Sequence, residues 1–165
     1  MTEATEWTTD RLRSRLEGTG AQAALVAAAR PPPRPPDVVT VAPGVVAVSG
    51  PAERRAPLYV TAGPTSERSV QRYRVPDAGV AADRVAELLV ADDRRAVWLR
   101  GRDQLRSWWS EAVTDLLERR LAAAVRRADA RLVVWTHEVP TRDTDESASG
   151  DGAAVGDRYD VVLAP

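Results

Sequence analysis

The clearest pattern of apolar and polar positions lies in the second half of the chain. "RAVWLRG" (95–101) is a short apolar run, and "RDQLRSWWSEAVTDLLERRLAAAVRRAD" (102–129) repeats apolar positions at helical spacing. "ARLVVWTHEV" (130–139) is apolar again. Strand, crossover helix and strand joined by tight connections make a βαβ unit, so the two strands should be parallel. On the helix of 102–128, Leu105, Trp109, Ala112, Leu116 and Ala123 form one stripe, widened by Trp108, Val113, Leu117 and Leu121. Before this unit, "DAGVAADRVAELLVADD" (77–93) places Val80, Val85, Leu88 and Leu89 at helical spacing, with Arg84 as a polar intruder. It reads as an amphipathic helix over 79–91.

Upstream the period changes. "VVTVAPGVVAVSG" (38–50), "LYVTAGP" (58–64) and "QRYRVP" (71–76) are β-branched or aromatic runs punctuated by Pro and Gly. They predict three or four antiparallel strands in hairpins, with Pro43-Gly44 turning the first. "YDVVLAP" (159–165) predicts a final strand beside the preceding one. The fold class is therefore α/β or α+β, a mixed sheet with N-terminal antiparallel hairpins and a C-terminal βαβ unit covered by two helices.

At the N-terminus, Thr8 can cap a helix whose first turn Trp7 staples onto Leu12. "GTG" (18–20) interrupts it, and alanine propensity favours a second helix in "AQAALVAAAR" (21–30) over a strand around Leu25 and Val26. Residues 1–30 then form a helical arm, and "RPPPRPPD" (30–37) is a polyproline connector, with 31–37 as the linker to one domain over 38–165. Arg30, Pro33 and Pro36 fit an RxxPxxP spacing, but a stiff spacer needs no reader. Residues 141–158, rich in Ser, Gly, Asp and Ala, read as a flexible acidic loop.

Composition narrows the chemistry. The 165 residues include no Cys, which excludes disulfides, thiolate metal sites and a Cys nucleophile. Phe, Ile, Asn and Lys are also absent, the mark of a high-GC prokaryotic genome rather than of selection for arginine. A net charge of −1 disfavours nucleic acid as a partner. Nothing at the N-terminus resembles a leader, and no apolar run approaches the roughly 18 residues of a membrane span, so a cytoplasmic protein is expected.

Three groups of residues carry functional leads. His137, the chain's single histidine, and Glu138 stand at a strand end, where parallel sheets place binding crevices. With Asp143, Asp145 and Asp151 they could form the catalytic or metal site of a metal-dependent hydrolase or nuclease. A helix-loop-helix calcium site is excluded, because Ala148 and Ala154 stand where it needs Gly and a bidentate acid. Trp108 and Trp109, with Trp7, offer an interface for a homo-oligomer or a protein partner. Arg119, Arg120, Arg126 and Arg127 offer an anion-binding patch, as in a nucleic-acid accessory factor, although Asp115 can pair with Arg119 at four-residue spacing. No phosphate loop or nucleophile elbow is present, so the reading preferred is a small non-enzymatic regulatory, ligand-sensing or accessory domain that self-associates. A small-molecule ligand fits that reading, while no cofactor and no metal is implied.

Overall fold

The computed structural model describes residues 7–31, 38–43, 58–61, 71–74, 77–92, 94–137 and 158–164. Along these residues run α1 (Thr9–Thr19), β1 (Ala23–Ala27), β2 (Val38–Pro43), β3 (Leu58–Thr61), β4 (Gln71–Tyr73) and α2 (Ala78–Ala91). They are followed by β5 (Ala96–Leu99), α3 (Arg102–Trp108), α4 (Glu111–Arg127), β6 (Arg131–Thr136) and β7 (Val161–Leu163). The strands form one mixed sheet in the order β4-β3-β2-β5-β6-β1-β7. β2, β5, β6, β1 and β7 pair in parallel, and β3 pairs antiparallel with β2 and β4. The expected parallel pair of β5 and β6 is present, as are the antiparallel strands upstream. Gly44 and the rest of the expected hairpin turn lie outside the described residues, as do Pro33 and Pro36 of the linker.

Alternation along the strands divides the interior in two. Leu25, Val39, Val41, Val97, Leu99, Leu132 and Val134 face α2, α3 and α4. Val26, Val38, Trp98, Val133 and Trp135 face α1 through Leu12, Leu16 and Trp7. The central strands are thus apolar on both faces, as parallel strands between helical layers require.

This arrangement corrects the reading of residues 21–30. They hold a strand, β1, instead of a second helix, because α1 ends where Gly20 turns left-handed at φ 64° and its N–H closes on the Glu17 carbonyl. Insertion between β6 and β7 buries every residue of Ala23–Ala27, and that burial outweighs the helix preference of alanine. Ala23–Ala27 therefore belong to the same sheet as β2 to β7. The final strand is likewise corrected: β7 lies beside β1, not beside β6.

The helix expected over 102–128 is two helices. Trp109 leaves helical geometry, and the extended Ser110 caps α4, accepting the Val113 N–H at 3.2 Å. The break resets the helical phase, which corrects the predicted stripe. Ala112, Leu116 and Ala123 are exposed, whereas Thr114, Leu117, Glu118, Leu121, Ala122 and Val125 face inward. On α2 the buried face is Ala78, Ala81, Ala82, Val85 and Leu89, and Val80 is exposed.

Two contacts fix the frame. Gly101, at φ +69° between β5 and α3, would place a Cβ 2.5 Å from Pro43 Cγ. Gly101→Ala is expected to lose about 1–3 kcal/mol of stability from the left-handed backbone alone, read by urea unfolding. An unchanged midpoint would contradict the tight approach of Pro43.

Asp160 ties β7 to β1 and α4. Its Oδ2 accepts the N–H groups of Gln22 and Ala23, both at 2.9 Å, and its Oδ1 accepts Arg126 at 2.9 Å. Burial alone would raise the Asp160 pKa, but these bonds outweigh it and hold the carboxyl below its ordinary value. The stabilisation is therefore complete above the unfolded value near 3.9 and is lost as pH falls through the lower folded value. The stability gap between wild type and Asp160→Asn should be constant at neutral pH and shrink under acid. A gap unchanged down to pH of about 2 would refute the ionised clamp.

Candidate functional site

Two places in this fold gather side chains capable of recognition or chemistry. The first is the C-terminal end of β6. Asp103, in the first turn of α3, accepts the Thr136 hydroxyl at 3.0 and 3.2 Å and the His137 backbone N–H at 2.8 Å. The carboxylate closes the strand onto the helix instead of orienting the imidazole. The exposed His137 ring lies 4.3 Å from the Trp135 ring, and Trp135 donates from Nε1 to the Ala28 carbonyl at 3.1 Å. Glu138, Asp143, Asp145 and Asp151 lie outside the described residues. Among the described residues no three His, Asp or Glu side chains gather as metal ligands.

Behind this latch is a charge network that sequence reasoning missed. Glu118, on the inward face of α4, is 0% exposed. Its Oε1 accepts Arg102 Nε at 2.6 Å and its Oε2 accepts Arg158 at 3.2 Å. Arg158 also pairs with Asp115, which replaces the expected pairing of Asp115 with Arg119. Burial, and then the Glu118 charge, push the adjacent Tyr159 phenol far up, so it stays neutral. Burial opposes the charge on Arg102, but Glu118 outweighs it and raises the Arg102 pKa. Every charged member faces an opposite charge, as a structural tie requires. The signal available in sequence was Glu118 on a face that is otherwise apolar but for Thr114, legible only with the correct helical phase.

The second place is a cleft of about 800 Å³ between α1 and the sheet, near the N-terminal ends of β2, β5 and β6. Leu12 and Leu16 of α1 form one wall, and Val38, Trp98 and Val133 form the floor. Thr9, Leu12, Arg13, Leu16 and Glu17 share one face of α1 because they recur at spacings of three and four. The rim carries Arg13, Arg94, Arg95 and Arg131 with Glu17, Asp92 and Asp129. Trp98 is 1% exposed, and its Nε1–H meets no hydrogen-bond partner among the described residues. A buried donor without a partner is costly and uncommon in folded proteins.

The remaining candidates are dispersed. Trp7 is buried in its own chain, donating from Nε1 to the Ala27 carbonyl at 3.5 Å. Trp109 is half-buried against the core, and Trp108 is 37% exposed. Of the expected anion patch, Arg126 pairs with Asp160. Arg119, Arg120 and Arg127 line a shallow groove between α2 and α4 together with Asp83 and Glu87. No helix among the described residues is long and apolar enough to cross a membrane.

Compared with known proteins, the chain matches no family model, and neither a curated protein nor a solved structure matches it significantly.

Proposed function

We propose that this protein is a non-enzymatic ligand-sensing domain that takes a small organic molecule into the cleft between α1 and the sheet. The observation that carries this reading is the cleft itself, about 800 Å³ with an apolar floor and charged rim. Small-molecule sites are typically concave, about 300–1,000 Å³, and mostly apolar with a few placed polar groups. Of the strand-end alternative only His137 lies within the described residues, and there Asp103 bonds its backbone N–H, not its ring.

A small helix such as α1 is a natural transmitter. It carries one wall of the cleft, and it packs on the sheet through Leu12 and Leu16, with Trp7 just before its cap. A ligand bridging α1 and the sheet would tighten that docking and stabilise the folded state in proportion to its occupancy.

A fragment screen by saturation-transfer NMR tests the assignment, run on wild type and on Leu16→Trp, which fills the cleft from the helix side. Circular dichroism checks that the variant is folded. Apolar fragments should bind wild type and lose most of their signal with the variant. Fragments that bind both equally, or none that binds, would overturn it.

Self-association is a second reading, supported by Trp108 and by Leu116, 45% exposed on the outer face of α4.

A further inference from the structure

Among the polar groups that line the cleft, two kinds make no ion pair or side-chain hydrogen bond among the described residues. Arg13 on α1 and Arg131 at the start of β6 make no ion pair among the described residues, although both line the cleft. They stand on opposite walls, one on the helix and one on the sheet. Glu17, Asp92 and Asp129 line the same cleft, but none of them forms an ion pair with Arg13 or Arg131 among the described residues. The second is Trp98 Nε1–H, a buried donor without a partner among the described residues, on a residue that lines the cleft. An indole N–H is a donor only, so its partner must be an acceptor.

We infer that the ligand of this cleft is a small heteroaromatic anion, its apolar ring system against Leu12, Leu16 and Val133, a ring acceptor on Trp98 Nε1–H, and a carboxylate held by Arg13 and Arg131. This rests on the cleft being the binding site. Guanidinium groups present paired N–H donors whose geometry matches a carboxylate, and they stay charged at any physiological pH. The apolar floor excludes a bare inorganic ion as the best occupant, because most of the contact surface would stay unfilled. An acceptor placed at Trp98 removes a desolvation cost that the unliganded protein carries, so it should discriminate between isosteric ligands.

The test uses the positional isomers of quinoline monocarboxylate, each compared with two analogues of nearly the same shape. The quinoline carboxamide removes the charge, and the naphthalene carboxylate removes the ring acceptor. Affinities are measured by calorimetry on wild type, Trp98→Phe, and Arg13→Gln/Arg131→Gln. The best isomer should bind wild type roughly tenfold tighter than its carboxamide, since hydrogen bonds to charged groups are the stronger kind. That preference should vanish in the double arginine variant, in which carboxylate and carboxamide bind with equal affinity. The same isomer should bind roughly 3–10-fold tighter than the naphthalene analogue, and Trp98→Phe should erase that difference. Its binding should also move the Trp98 indole proton downfield in the NMR spectrum.

Equal affinity for carboxylate and carboxamide, with no response to Arg13 and Arg131, would sink the anion and leave the cleft standing as an apolar site. A charge preference insensitive to Trp98→Phe, with the indole proton unmoved, would sink the acceptor. Failure of every quinoline and naphthalene probe to bind would sink the anion, while the apolar fragments and Leu16→Trp separately decide the cleft.

Discussion

Glu118→Ala should lower folding stability by about 3–5 kcal/mol, read as a large drop in the urea midpoint. The side chain is 0% exposed and lies between Arg102 and Arg158, each only 7% exposed. Truncation removes a charge and strands two guanidiniums away from water, and the uncompensated burial makes the loss large. Asp115 still faces Arg158, so Arg102 is the more exposed to the loss, with Asp103 left 4.0 Å away. A triple replacement, Arg102→Met/Glu118→Leu/Arg158→Met, should cost far less and could stabilise, because well-packed apolar groups avoid the desolvation altogether. A loss below about 1 kcal/mol for Glu118→Ala would place the network in solvent, where exposed pairs are worth that little.

Trp98→Ala should cost about 3–5 kcal/mol by loss of packing and creation of a cavity. Trp98 lies on β5 with Val133 beside it in register on β6, and its indole belongs to the cluster beneath α1. Because it also borders the cleft, truncation enlarges an existing space, which places the loss toward the lower end of that range. Trp98→Phe retains a ring and removes the unpartnered donor, so its loss should be much smaller. Equal losses for the two substitutions would mean that the indole N–H is bonded in the folded protein, and would remove the reason for a ligand acceptor there.

The parts of this fold that were legible in the sequence are those where local pattern and burial agree. β5 and β6 are short apolar runs flanking a long amphipathic segment, and they pair in parallel as that order implies. β2 to β4 carry β-branched and aromatic residues and form the antiparallel side. In residues 21–30 the local pattern points to helix because alanine carries almost no information about a strand, and only the partners β6 and β7 decide the conformation. Ser110 explains the displaced stripe: a serine in an apparently continuous helix was a cap, and everything after it shifted phase.

The candidate sites were less legible still. Asp103 to Thr136, Glu118 to Arg158 and Arg126 to Asp160 join residues 33, 40 and 34 positions apart. No spacing rule within one element could find them. The cleft draws on α1, β2, β5 and β6, and one wall belongs to a helix whose sequence reads simply as a capped, arginine-rich surface element. Arg13 was visible as a charge, but its lack of a partner was not.

Amide-resolved NMR during titration with an apolar fragment bound by the wild-type protein tests the central claim most directly. The largest shifts should fall on Leu12, Leu16, Val38, Trp98 and Val133, around the cleft. Shifts centred on Asp103, Thr136 and His137 would place the ligand at the strand ends and contradict that claim.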